Sequence, residues 1–302
     1  MIDKSILQKA LADEYCVPAF NFTNFQIFKA IITTCEKLKS PVVLQLSEGA
    51  LKNFGDNFVQ CFLPIIKSTS VPCVLHLDHG KSFDSIKRAI DLGFDSVMID
   101  GSCLPLKDNI ELTKLVCEYA HKKNVIVEGE LGMIKGDDDN ANFGGSAYTN
   151  PKDAKQFVKE TKVDSLAVAI GTNHGMQKYI SEPKLRFDIL EDIQNEIPNI
   201  PLVLHGASLI QKKYVDIINK NGGKIEKALG NDKMFVGLHK THICKVNMDT
   251  DLRLAYTAGI REYLASNLDA IDPRDYDKNA NKYLEEVIED RIINVCHSNN
   301  KF

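Results

Sequence analysis

Residues 73–80 read Cys-Val-Leu-His-Leu-Asp-His-Gly: an apolar run over 73–77 that stops at a polar pair, Asp78 and His79. The run is short and contains branched side chains, which suits a strand of a parallel sheet buried on both faces. Just beyond it, residues 82–92 carry apolar side chains at i, i+3 and i+4, the spacing of an amphipathic helix. The same cadence extends in both directions. Apolar runs recur at 17–20, 42–46, 96–99, 125–127, 165–170, 202–204 and 243–246, and helical periodicity is clearest at 27–38, 109–121, 151–161 and 211–219.

Strands that alternate with helices predict a parallel α/β fold. Each run also ends on a polar side chain: Asn21, Ser47, Asp78 with His79, Asp100, Glu130, Asn173 with His174, His205, and Asn247 with Asp249. Eight such units predict a (β/α)8 TIM barrel, whose functional residues gather at the C-terminal ends of its strands. An open doubly wound sheet is the alternative. No linker divides the chain, so residues 1–302 are expected to form one domain, with an extra N-terminal helix and a C-terminal tail that is helical near 283–295. The least regular stretches, 132–150 and 222–240, follow strand–helix junctions on the same face, where long loops act as lids or clamps.

The 302 residues include 37 Lys and Arg against 41 Asp and Glu, a net charge of −4. That balance, with no basic stretch, argues against a nucleic-acid partner. No apolar run approaches the ~20 residues that cross a bilayer, and the N-terminus lacks the apolar region of a secretory signal. The eight cysteines are scattered without a CxxC pair, which reads as reduced thiols. A cytoplasmic protein without a membrane or disulfide scaffold is expected.

His79, His174 and His205 sit at three strand ends. Three imidazoles with an open fourth position match a catalytic zinc pattern, and the alternative is three hydrogen-bonded pocket histidines. Asp78, Asp100 and Glu130 share that rim and are candidates for acid–base work, a second cation, or orientation of a histidine. The loops carrying Gly206-Ala-Ser208 and Asn247-Met-Asp-Thr-Asp251 follow the last two strands, a common phosphate site in such barrels. Together they point to a phosphorylated substrate.

These residues resemble the zinc-dependent (class II) fructose-bisphosphate and tagatose-bisphosphate aldolases. The resemblance rests on Ala19-Phe-Asn21, Gln45-Leu-Ser-Glu-Gly-Ala50, His76-Leu-Asp-His-Gly80, Ser96-Val-Met-Ile-Asp100, Glu128-Gly-Glu-Leu-Gly132, Ala169-Ile-Gly-Thr-Asn-His-Gly175, Leu204-His-Gly-Ala-Ser208, Lys245-Val-Asn-Met-Asp-Thr-Asp251 and Asp272-Pro-Arg-Asp-Tyr276, in family order across almost the whole chain. It implies cleavage of fructose 1,6-bisphosphate to dihydroxyacetone phosphate and glyceraldehyde 3-phosphate, with the tagatose isomer as the alternative substrate. It implies zinc on His79, His174 and His205, and Asp78 as the acid/base at the C4 hydroxyl. Asp100 and Glu130 match acids able to hold a displaced or second divalent ion. Asn21, Ser47 and Asn247 match substrate hydroxyl contacts, and Gly206, Ser208, Asp249 and Thr250 match the groups around the dihydroxyacetone phosphate end. A monovalent cation, Na+ or K+, is implied near Gly175 and Gly206. Arg253 and Arg274 are candidates for the distal phosphate, one of them reaching from a neighbouring copy in a homodimer or homotetramer.

The chain also departs from the family pattern. The loop acid that moves the C3 proton, usually Glu, aligns with Asp138, one methylene shorter. Cys103 stands where a His is usual, 240–244 lacks a usual glycine, and 209–211 lacks a usual proline. Two competing readings follow. Lys245, in the last strand, is the lysine placed for Schiff-base chemistry. A barrel that keeps the metal site but only binds sugar bisphosphates is the other.

Overall fold

The computed structural model describes residues 5–132, 148–172, 185–226 and 232–302. Its eight parallel strands are β1 Val17–Asn21, β2 Val42–Ser47, β3 Cys73–Gly80, β4 Ser96–Ile99, β5 Ile126–Leu131, β6 Ser165–Val168, β7 Leu202–Leu204 and β8 Ile243–Met248. They close in sequential order, with Val17 of β1 in register with Lys245 of β8. The described helices are α1 Ile6–Ala12, α2 Phe25–Lys37, α3 Glu48–Phe54, α4 Asp56–Ser68, α5 Phe83–Leu92, α6 Leu106–Lys122, α7 Pro151–Thr161, α8 Phe187–Glu196, α9 Lys212–Lys220, α10 Thr250–Ser266 and α11 Pro273–Asp290. This is the expected (β/α)8 TIM barrel. Among the described residues no helix is long and apolar enough to cross a membrane.

Successive strand residues point to opposite faces. Leu44, Leu46, Leu75, Leu77, Val97, Ile99, Val127, Leu166 and Val168 join one large apolar cluster with helix residues such as Phe28, Ile86, Val116 and Phe157. Their alternates at the start of the strands, Val17, Ala19, Val43 and Val74, form a second cluster with Ile6, Leu7 and Ala10 of α1. The extra N-terminal helix therefore plugs the N-terminal mouth of the barrel.

Further along, the alternates turn polar. His76, Glu128 and Lys245 make a lower level; Asn21, Asp78, Glu130 and Asn247 make an upper one, two residues on. Gln45 is in register with both His76 and Asn21 and bridges the levels. The expectation of strands apolar on both faces thus holds for their first halves and fails beyond. Polar side chains are tolerated in this interior because they hydrogen-bond one another across the strands.

Several boundaries differ from the sequence-based expectation: β3 runs on to Gly80 and β8 to Met248, β6 stops at Val168 rather than 170, and two further shifts show their cause. β5 runs on to Leu131 because Glu128, Gly129 and Glu130 pair with β6 even though they interrupt the apolar run. The tail helix starts at Pro273 rather than near 283. The Asp272 carboxylate accepts from the Arg274 amide at 2.9 Å and Pro273 occupies the first turn, both of which favour helix initiation. One π-helical turn, Arg291–Cys296, then ends the helix.

Candidate active site

β3 supplies two neighbouring side chains to the same space, which a regular strand does not do. The strand breaks register with β4 between Leu77 and Gly80. His79 adopts φ +50°, a left-handed conformation unusual for a residue with a Cβ. That bulge swings His79 inward beside Asp78. Gly80 allows the turn: a Cβ there would lie 2.8 Å from the Met98 carbonyl oxygen and 2.7 Å from Ile86 Cδ1.

Asp78, buried, accepts from Asn21 Nδ2 at 2.8 Å and from Asn247 Nδ2 at 3.3 Å, so both oxygens are held. Gln45 Nε2 in turn donates to Asn21 Oδ1 at 3.0 Å. His79 Nδ1 lies 3.0 Å from Asp100 Oδ2, and Asp100 Oδ1 accepts from the Ser102 hydroxyl and amide. His205, just past β7, reaches back across the barrel. Its Nε2 is 2.8 Å from Glu128 Oε1 and its Nδ1 is 3.0 Å from His79 Nε2. Glu130 Oε2 is buried without a hydrogen bond, 3.9 Å from His79 Nδ1 and 4.0 Å from His205 Nδ1.

The hydrogens follow from the partners, because an ionised carboxylate only accepts. Asp100 places a proton on His79 Nδ1, and Glu128 places one on His205 Nε2. His79 Nε2 then faces the Nδ1 lone pair of His205 across 3.0 Å, a position that takes either a proton or a metal cation between the two nitrogens. Two nitrogens bonded at ~2.0–2.1 Å to one tetrahedral zinc stand about 3.3–3.4 Å apart, close to that separation. Ligand atoms of Asp78, His79 and His205 lie within 4.8 Å of one another, as do those of His79, Asp100 and Glu130. The donor set fits a zinc ion.

The electrostatics agree. Burial opposes charge on His79, but Asp78, the Asp100 hydrogen bond and Glu130 outweigh it and hold its pKa well above the ordinary value. Burial, reinforced by the His79 charge, pulls His205 down to about 4. Burial and the neighbouring Asp100 charge push Glu130 well up. Lys245 balances Glu128 and the imidazoles face Asp78 and Asp100, so the raised pKa of Glu130 marks the place where one more negative charge would need a bound cation.

The remaining sequence candidates are distributed as follows. Ser47 caps α3, its Oγ accepting from the Ala50 amide at 3.2 Å, and it is in register with Asp78. Gly206 takes φ +65°, and Ser208 Oγ accepts from the Asp249 amide at 2.9 Å, tying the β7 loop to the start of α10, where Thr250 is buried. The Leu209 amide donates to Asp251, which pairs with buried Arg291 from the tail. Arg253 Nε donates to Asp249 at 2.8 Å, beside that loop. Arg274 lies on the first turn of α11, exposed, and pairs with Asp272. Asp138, His174 and Gly175 lie outside the described residues. Lys245 is no free amine: its Nζ donates to Glu128 Oε2 at 2.7 Å, and both groups are buried. Glu128 and Gln45 have direct partners in the site and were not singled out from the sequence. The signal was present, since each stands two residues before a candidate on the same strand face.

The sequence profile of the family described as "Fructose-bisphosphate aldolase class-II" matches residues 3–301. A fructose-bisphosphate aldolase of Treponema pallidum is 42% identical over 296 residues, covering 90% of this chain and 89% of that protein. One of Thermus caldophilus is 41% identical over 293 residues, covering 95% of each. Among solved structures, the YdjI aldolase of Escherichia coli K12 superposes with a TM-score of 0.78 at 29% identity, over 98% of this chain and 96% of that one.

Proposed function

The chain belongs to the class II fructose-bisphosphate aldolase family, and from that membership we infer how the residues at the barrel mouth share the work of aldol cleavage. The reaction is the reversible cleavage of fructose 1,6-bisphosphate to dihydroxyacetone phosphate and glyceraldehyde 3-phosphate.

In this reading Asp78 is the acid/base. Its carboxylate takes the C4 hydroxyl proton, C4–O becomes the aldehyde carbonyl, and the C3–C4 bond breaks with its electron pair left on the dihydroxyacetone phosphate fragment. The observation that carries the assignment is Asp78 itself: buried, ionised and held by two amide donors, 3.9 Å from His79 Nε2. Burial disfavours its charge, but His79, His205 and Lys245 outweigh burial and keep its pKa below the ordinary value. Asn21 and Asn247 orient the carboxylate and, with Ser47, meet substrate hydroxyls. His79, His205 and His174 would hold a zinc ion, which when bound would supply Lewis-acid polarisation of a substrate oxygen. Asp138 delivers the C3 proton. Gly206, Ser208, Asp249 and Thr250 surround the dihydroxyacetone phosphate end, and Arg253 or Arg274 binds the distal phosphate through a bidentate fork.

Asp100 and Glu130 suit a displaced or second divalent ion, and Gly175 with Gly206 a monovalent one. A homodimer or homotetramer in the cytoplasm completes the reading; exposed Leu268 and Ile271, a few residues before Arg274, support the association.

A coupled assay with fructose and tagatose 1,6-bisphosphates tests it. Cleavage of the fructose isomer is expected to vanish in excess chelator and return with zinc. Asp78→Asn is expected to keep bound zinc and lose ~10²–10⁴-fold in kcat. Full turnover in chelator sinks the zinc assignment, and near-normal kcat in Asp78→Asn sinks the acid/base. Elemental analysis that never exceeds one divalent ion per chain removes the second site.

A further inference from the structure

Glu128 lies beneath the site, 1% exposed, with each carboxylate oxygen held by a different partner: Oε2 accepts from Lys245 Nζ at 2.7 Å and Oε1 from His205 Nε2 at 2.8 Å. We propose that the buried Lys245–Glu128 pair is a positioning device that dictates which nitrogen of His205 faces the metal site. The proposal rests on reading His205 as a metal ligand.

Asn247 Nδ2 also lies 3.2 Å from Nε2, but it donates to Asp78, and the shorter contact of Nε2 is to a carboxylate that carries no hydrogen, so the proton of a neutral His205 sits on Nε2. Nδ1, the nitrogen 3.0 Å from His79 Nε2, keeps its lone pair. Lys245 makes this arrangement one-directional. Its Nζ is also 3.4 Å from His76 Nε2, whose other ring nitrogen is 2.8 Å from Ser96 Oγ. The ammonium can only donate, so whatever atom of residue 128 faces it must accept. An amide at 128 has one oxygen and one NH2. Its oxygen turns to Lys245, its NH2 donates to His205 Nε2, and the imidazole proton is driven to Nδ1, which removes the ligand lone pair. Glu128→Gln therefore inverts the tautomer while Lys245 is present. Adding Lys245→Met frees the amide to turn its oxygen back to His205 and restores the ligand.

The test uses metal-free full-length protein, zinc titrations against a chromophoric chelator, and nitrogen NMR of histidine-labelled samples. Wild type is expected to bind zinc with His205 protonated on Nε2. Glu128→Gln is expected to bind about 10–100-fold more weakly, with the proton on Nδ1. Glu128→Gln/Lys245→Met is expected to regain most of that loss. Glu128→Leu/Lys245→Met, equally neutral but without an acceptor, is expected to stay weak. If Glu128→Gln does not fold in chelator, the two neutral double variants still decide the matter against wild type. Wild-type affinity in a folded Glu128→Gln, or equal affinities in the two doubles, overturns the proposal. A failure of the underlying reading shows separately, as unchanged zinc affinity in His205→Ala or no zinc uptake by wild type.

Discussion

Single residues in the barrel interior act through the partners that strand geometry assigns them, and His76 illustrates the consequence for stability. It is buried on the lower polar level, and burial together with the adjacent Lys245 charge lowers its pKa to about 3. An unfolded histidine titrates near ~6.5, so between about pH 3 and 6.5 the unfolded chain binds the proton that the folded chain refuses. Stability from this position is therefore complete above pH 6.5 and declines as pH falls. In chelator-treated protein, urea unfolding between pH 6 and 4.5 is expected to lose about 1.4 kcal/mol more per pH unit in wild type than in His76→Gln. Equal slopes contradict this. At this scale much of the site was readable: Asp78, His79, His205 and Asn247 stand at strand ends in the sequence, and the structure brings them together. Glu128 carries no such strand-end signal, because an acid two residues inside a strand reads as an interruption without the opposing lysine.

The elements owe their boundaries to local chemistry and their contacts to backbone proximity. Apolar runs located all eight strands, and caps such as Asp272 before Pro273 mark helix starts. The bulge in β3 was not legible, because Asp78-His79-Gly80 carries no signal of φ +50° at His79; it shows only in the break of register with β4. Helix pairing was equally hidden. Gly259 of α10 faces α11 so closely that a Cβ would lie 2.5 Å from Ala280 Cα and 2.9 Å from its nitrogen. In an exposed helix Gly→Ala stabilises by about 1 kcal/mol. Here the added methyl meets backbone, and Gly259→Ala is expected to destabilise by about 1–3 kcal/mol, read from denaturant midpoints. A raised midpoint means that the helices separate freely.

For the whole molecule, closure of the barrel is the decisive event. It turns strand ends that lie far apart in sequence into one polar well, floored by Lys245, Glu128 and His76 and plugged below by α1. The net charge of −4 gives no general attraction for a bisphosphate, so affinity has to be local. The segment between α10 and α11 exposes Leu268 and Ile271 at 88% and 92% next to Arg274. Light scattering is expected to show a dimer or tetramer, and Leu268→Asp/Ile271→Asp to shift it toward the monomer. A wild-type monomer at micromolar concentration contradicts the association.

The eightfold strand–helix rhythm, the polar residues at the strand ends and the family are written in the linear chain, because hydrophobic periodicity and motif order are properties of its residue order. Folding in three dimensions sets which alternates face inward, which imidazole nitrogens meet across 3.0 Å, and that Lys245 pairs with Glu128 instead of standing as a free amine. Those outcomes depend on barrel closure and on one bulge, which set side chains from distant strands at hydrogen-bonding distance, and no local pattern encodes that distance.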